Sequence, residues 1–231
     1  MTTVTGVWQW LTDPAHWSGP DGIPARTLEH VQISLLALPV AVVIAVPAGI
    51  LLGRSGRAAF LTFSVGSVGR AIPTFALLFI FASWDPVGVG DEAAVLALVL
   101  FAIPPLLTNT YIGLREVDHD ALDSAVGLGM TSWQRLWRVE LPLSVPLVSA
   151  GLRTTTVQVV ATASLAAFVG GGGLGRYVVD GFGQQDTVLV MSGVVLISAL
   201  CLATEGLLAL LQRAATPPGL RAGAEGVATS V

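Results

Sequence analysis

The chain has 231 residues, 53 % hydrophobic and only 11 % charged, with a net charge of −4 and a mean hydropathy of +0.77; soluble domains carry roughly a quarter charged residues, so this chain cannot coat one and reads as lipid-embedded. All eleven basic residues are Arg, which excludes a phosphate-loop or Schiff-base lysine here, and the negative charge without a basic run excludes nucleic acid as a partner. The single Cys201 leaves no internal disulfide and no cysteine metal cluster.

The first seventeen residues, MTTVTGVWQWLTDPAHW, lack a positive stretch ahead of an apolar core, so they do not read as a cleaved signal peptide. Residues 1–26 are expected as an outer-face segment, with Val7 to Leu11 lying flat on the membrane. The first membrane helix is predicted over 31–53, because Val31 to Gly53 gives 23 residues without a charge, and 1.5 Å of rise per residue then covers a hydrocarbon layer of about 30 Å. Pro39 and Pro47 within it are tolerated where neighbouring helices satisfy the freed carbonyls. A second span is predicted over 58–84, interrupted at Arg70, with the small residues Ser64, Gly66, Ser67 and Gly69 packing closely against a neighbour. Further spans are predicted over 93–114, which carries Pro104, Pro105 and Asn109, over 141–169, with Arg153 inside it, and over 187–212, with Glu205 inside it. The fold class is therefore all-α, a polytopic membrane protein of about five spans, with residues 27–213 as the membrane domain and 214–231 as a cytoplasmic tail without fixed structure.

Positive charge stays on the cytoplasmic side. One side collects Arg54, Arg57, Arg70, Arg115, Arg135, Arg138, Arg213 and Arg221, and the other only Arg26 and Arg176. The N-terminus is thus expected outside and the C-terminus inside, with 85–92 and 170–186 facing out. Trp8, Trp10, Trp17 and Trp84 then fall at the outer boundary, where amphipathic rings prefer to sit.

This leaves one long cytoplasmic loop, 115–140, and loops of that size that carry helix signals tend to be functional. Asp120 is predicted to cap a short helix from Ala121 to about Leu128, with Asp123 in its first turn, where a carboxylate complements the helix dipole. Gly129 ends it. Thr131 and Gln134 have the spacing of a capping box for a second turn, Ser132 to Arg138, which puts Trp133 and Trp137 on one face. Leu141-Pro142 opens the next membrane helix, proline being accepted in a first turn.

The run Asp123-Ser124-Ala125, three residues, Gly129, nine residues, Val139-x-Leu141-Pro142 resembles the EAA loop of permease subunits of bacterial ABC importers. There the order is Glu-Ala-Ala, three residues, Gly, nine residues, Ile-x-Leu-Pro, and every spacing agrees. Asp for Glu, Ser for the first Ala and Val for Ile are conservative departures. Gly129-Met130-Thr131-Ser132-Trp133-Gln134, Arg138 to Leu143, Ala150 to Thr154, Gly172-Gly173-Leu174-Gly175 and Ile72-Pro73-Thr74 are similar to permeases for glycine betaine, choline, carnitine and related osmoprotectants. The likeness covers roughly 27–213.

The resemblance implies a non-catalytic subunit of the bacterial inner membrane. A second permease copy or a sister permease completes the pore, cytoplasmic ATPase subunits bind ATP and magnesium, an external binding protein delivers the solute, and this chain needs no cofactor of its own. It also implies that Asp123, Ser124, Ala125, Gly129, Met130, Thr131, Trp133, Val139, Leu141 and Pro142 form the ATPase contact. Physically, a short helix held between two spans is a lever, its small side chains making a face that a partner can grip and its glycine corner allowing close approach.

Other signals are weaker. Gly170 to Gly175 satisfies G-x-G-x-x-G but follows a membrane helix rather than a strand, so it reads as a flexible or re-entrant outer corner at Gly172, Gly173 and Gly175, not a nucleotide site. Arg153 and Glu205 are costly at membrane depth: they form a structural ion pair, line the translocation path or reach headgroups and water. His16, His30 and His119 are too scattered for a metal site and are expected at interfaces or in water. With 7 % aromatics there is no visible cage for a quaternary ammonium group, so solute selection is expected in another polypeptide. Two alternatives remain: an importer permease for another small solute, such as the amino acid methionine, and a stand-alone secondary transporter, for which only Glu205 offers a coupling carboxylate. An intramembrane enzyme would need paired acids, an activated nucleophile or metal ligands, and none is visible.

Overall fold

Small side chains recur every fourth position along the longest helix, and that stripe organises the bundle. In the computed structural model, which describes residues 3–55, 60, 62, 64, 66, 67, 69 and 72–215, helix α2 (Ile23–Ser55) runs unbroken through Pro39 and Pro47. Its residues Ala37, Ala41, Ala45, Gly49 and Gly53 are all buried. They face helix α4 (Asp91–Arg115), whose Ala93, Ala94, Ala97 and Ala102 are equally closed off. This small-on-small contact lets two backbones approach in lipid, where packing rather than water exclusion drives association. A Cβ on Gly49 would lie 2.7 Å from Thr110 Cβ and 2.9 Å from the Leu107 carbonyl oxygen.

Before α2 come α1 (Thr3–Thr12) and a 3₁₀ turn, Pro14–Trp17, capped by Asp13. Between α2 and α4 lies α3 (Thr74–Ala82), only nine residues long. After α4 follow α5 (His119–Gly127), α6 (Ser132–Arg135), a π-helical turn (Leu136–Glu140) and α7 (Leu141–Thr162). A 3₁₀ segment (Ala163–Val169), α8 (Gly175–Gln184) and α9 (Thr187–Ala215) complete the chain. Helix α4 is central, packing on α2, α3 and α7. Gly113 of α4 meets Val148 of α7, and Gly151 of α7 meets Asn109 of α4.

The all-α expectation holds, with no strand among the described residues. Four runs are long and apolar enough to cross a membrane among those residues: Ile23–Ser55, Asp91–Arg115, Ser132–Val169 and Thr187–Arg213. The first is longer than expected, beginning at Ile23 rather than Val31. The predicted span 58–84 is not one helix. Phe60, Thr62, Ser64, Gly66, Ser67 and Gly69 are helical, but the chain bends at Ile72 and restarts at Pro73, the residue that caps α3; a residue before proline is pushed out of the helical region. Close packing of the small residues is seen at Gly69, which rests on the Pro104 ring. Arg57, Ala58, Arg70, Arg221 and residues 216–231 lie outside the described residues. Helix α9 runs through Ala215, so the tail starts later than 214.

Val7 to Leu11, expected to lie flat on the membrane, belong to α1, which packs against α9 through Gly6 and Val188. Trp8, Trp17 and Trp84 are exposed, whereas Trp10 stacks on His16 at 4.2 Å and meets Tyr177 edge-on. Helix α9 shows Leu202, Leu207, Leu210 and Leu211 to the outside, as a lipid-facing helix should.

Replacing Gly49 with Val forces α2 away from α4 and should cost about 1–3 kcal/mol, the usual range for overpacking, read as a lower thermal unfolding midpoint in detergent. An unchanged midpoint would mean the stripe is not in tight contact.

Candidate functional site

The loop between α4 and α7 is built by local signals. Asp118, not Asp120, caps α5: its carboxylate accepts from the Asp120 N–H at 3.2 Å. Both aspartates suit the role, and the buried Val117, 4 % exposed, settles it by anchoring the residue before the cap. Just past its C-cap Leu128 the helix is stopped by Gly129, whose φ of +76° is the left-handed region. There Gly129 N–H donates to Val126 O at 2.9 Å and Met130 N–H to Ala125 O at 3.1 Å, the paired bonds of a Schellman stop. The capping box forms as expected, Gln134 N–H reaching Thr131 Oγ1 at 3.3 Å and Thr131 N–H reaching Gln134 Oε1 at 2.9 Å.

Helix α6 is shorter than Ser132 to Arg138. It ends at Arg135 and passes into the π turn, closed by Leu141 N–H on Leu136 O, so the loop runs into α7 without a break. Asp123, Ser124, Gly129, Thr131 and Trp133 are exposed; Met130, Val139, Leu141 and Pro142 are half-buried; Ala125 is buried. Trp133 and Trp137 share a face, their rings 5.5 Å apart and edge-on. Both rings are exposed, as is Leu128 at 78 % in the same loop, and the described residues leave all three uncovered.

The residue that sequence reasoning missed is Glu140. It is 6 % exposed, and each carboxylate oxygen has its own arginine: Oε2 meets Arg54 Nε at 3.0 Å and Oε1 meets Arg135 Nε at 2.9 Å. Arg54 also donates through Nη2 to Ser132 O at 2.9 Å and Ser132 Oγ at 2.6 Å. The end of α2, the short α6 and the start of α7 are thereby joined. A carboxylate at the foot of a predicted membrane helix was the available signal, since such a charge demands a partner.

At the other end, the glycine corner is pinned rather than free. Gly170 and Gly173 have φ of +82° and +89°. Gly172 N–H donates to Asp91 Oδ1 and Gly173 N–H to Glu29 Oε2, each at 2.8 Å. Glu29 is held by Arg26 Nη1 at 2.8 Å, and Arg26 also pairs with Asp21. Gly175 starts α8 tight against the Ser164 carbonyl. Tyr177 donates to Asp21 O at 2.7 Å, and burial pushes its phenol up to about 12. His30 is fully buried, contrary to the expectation of an interface or water position; its Nε2 lies 2.7 Å from Val160 O, tying α2 to α7. Of the two charges placed inside spans, Arg153 Nε lies 3.2 Å from Glu205 Oε1, linking α7 to α9 with both side chains partly exposed. Pairing lowers the cost of each at membrane depth.

Residues 45–217 match the family described as binding-protein-dependent transport system inner membrane component. The chain is similar to the glycine betaine/carnitine/choline transport system permease protein OpuCB of Bacillus subtilis, 36 % identical over 85 % of this chain and 89 % of that one. It is also similar to the carnitine transport permease protein OpuCB of Listeria monocytogenes, 38 % identical over 87 % and 91 %. Among solved structures it resembles a chain of the inward-facing MetNI methionine ABC transporter with a TM-score of 0.75 at 22 % identity, covering 89 % of this chain and 100 % of that one.

Replacing Asp91 with Ala should remove a charge-assisted bond worth about 1.5 kcal/mol and raise hydrogen exchange at Gly172 about tenfold, read by mass spectrometry of the 170–175 segment. Unchanged exchange would show that the corner is held by something else.

Proposed function

This chain belongs to the binding-protein-dependent transport inner membrane component family, and from that premise we propose that it is the permease subunit of an ATP-driven importer of osmoprotectants such as glycine betaine, choline or carnitine. The single observation that carries this reading is the loop 115–140: two short capped helices around a left-handed Gly129, with an exposed apolar face and a buried ionic root. The osmoprotectant class is supported by relatives that span nearly their whole length with this chain. The likeness to a methionine transporter chain bears on the fold alone.

In this reading residues 27–213 are the permease domain, with the loop in the cytoplasm and the N-terminal helix and glycine corner outside the cell membrane. Cytoplasmic ATPase subunits grip Asp123, Ser124, Gly129, Met130, Thr131 and Trp133, while Ala125, Val139, Leu141 and Pro142 shape the surface from beneath. A second copy or a sister permease completes the pore, and an external binding protein docks beside Gly172, Gly173 and Gly175. ATP and magnesium stay on the partner, so this chain performs no covalent chemistry. Closure of the ATPase favours one of two arrangements of the membrane helices, and the solute path opens on alternate sides. The Arg153–Glu205 pair is structural, holding α9 to α7 rather than touching solute.

A tryptophan at Gly129 combines a bulky side chain with a backbone conformation that costs an L-residue roughly 1–2 kcal/mol. The Gly129→Trp chain should reach the membrane yet lose at least nine-tenths of the ATPase that co-purifies with the unaltered chain. Retention of the ATPase at the original ratio would contradict the docking assignment.

A further inference from the structure

We propose that the Arg54–Glu140–Arg135 cluster is a mechanical joint that makes α2 follow the loop, with Arg54 the positioning residue that couples ATP hydrolysis to solute movement. This rests on the loop being the ATPase contact. By chain connection alone the loop pulls on α4, through residues 116–118, and on α7; α2 ends at Ser55 with no peptide link to it. Beyond the indirect link that α2 has through its packing on α4, Arg54 supplies a direct one, touching Glu140 at the root of α7 and both Ser132 oxygens at the start of α6.

The chemistry suits transmission. Both oxygens of a carboxylate that is 6 % exposed are taken by different arginines. Breaking either contact leaves a buried charge undercompensated, so the joint is stiff: it is made or broken and does not slide. Only a guanidinium can use Nε on the carboxylate while its fork reaches a carbonyl and a hydroxyl. The π turn, whose closing bond runs from Leu141 back to Leu136, inserts an extra residue per turn just where Glu140 must face α2. Because α2 lies on α4 through its small-residue stripe, a push at Arg54 moves α2, α4 and α7 together.

The test uses the whole complex of this chain with its ATPase and external binding protein in lipid vesicles, comparing the unaltered chain with Arg54→Gln. This variant keeps Arg135 on Glu140, so the buried carboxylate loses one partner and not both, and retention of the ATPase shows that the variant has folded. Spin labels at Leu51 on α2 and Asp120 on α5, both exposed, in a Cys201→Ala background report the distance between helix and loop. In the unaltered complex that distance should stay constant when ATP is added. In Arg54→Gln it should change by several ångströms; the ATPase should remain bound and hydrolyse ATP, and uptake of labelled glycine betaine per ATP should fall about tenfold. A Leu51–Asp120 distance that already changes in the unaltered complex overturns the joint, as does uptake per ATP within twofold in the variant. Loss of the ATPase from the variant alone also overturns it, because Arg54 then only shapes the docking face. An unaltered chain that never retains an ATPase overturns the docking assignment itself.

Discussion

Close approach of α2 and α4 is the constraint on which the remaining architecture depends. In hydrocarbon there is no water to expel from between helices, so contact area must come from backbones lying near each other. The stripe Ala37, Ala41, Ala45, Gly49, Gly53 provides that proximity, and Gly53 is its last member. The next residue is Arg54. The packing that joins two membrane helices therefore also delivers a guanidinium to the root of the loop, where Glu140 waits with its second oxygen open to it. Fold and candidate site are one geometric statement: a residue wider than Ala in the stripe would displace Arg54 as well as α2.

The two ends of the bundle are tied by different means. At the loop end, side chains meet side chains in a buried ionic cluster. At the corner end, carboxylates of Glu29 and Asp91 accept from glycine N–H groups, and His30 meets a carbonyl. Backbone partners of this kind need the left-handed φ at Gly170 and Gly173, because a side chain there would strain the turn. Both ends thus close irregular backbone with internal partners, as a protein in lipid must.

Much of this was legible in the sequence where the governing interaction is local. The capping box at Thr131 and Gln134, the stop at Gly129 and the Trp133–Trp137 face all depend on residues a few positions apart, and each formed. Uncharged length pointed to four long apolar helical runs for the same reason, although they start at Ile23, Asp91, Ser132 and Thr187 rather than where the charge-free stretches do. What failed was long-range or balanced between near equals. Glu140 and Arg54 meet only after α2 and α7 are placed, and nothing in the neighbourhood of either announces the other. His30 is buried because the glycine corner folds over it. Asp118 and Asp120 are equally good caps until the burial of Val117 decides. Proline alone does not mark a break, for α2 passes through two of them while the chain bends before Pro73; the difference lies in the neighbours, which a single sequence does not display.

The central claim is that the exposed face of the loop is gripped by a separate ATPase. A photo-activatable residue at Leu128, the most exposed apolar position of the loop, tests it in intact cells. The account predicts a covalent adduct with a protein that carries a phosphate-loop lysine, in a yield that changes when ATP is depleted. Adducts formed only with lipid, or with a protein from outside the cell membrane, would contradict it.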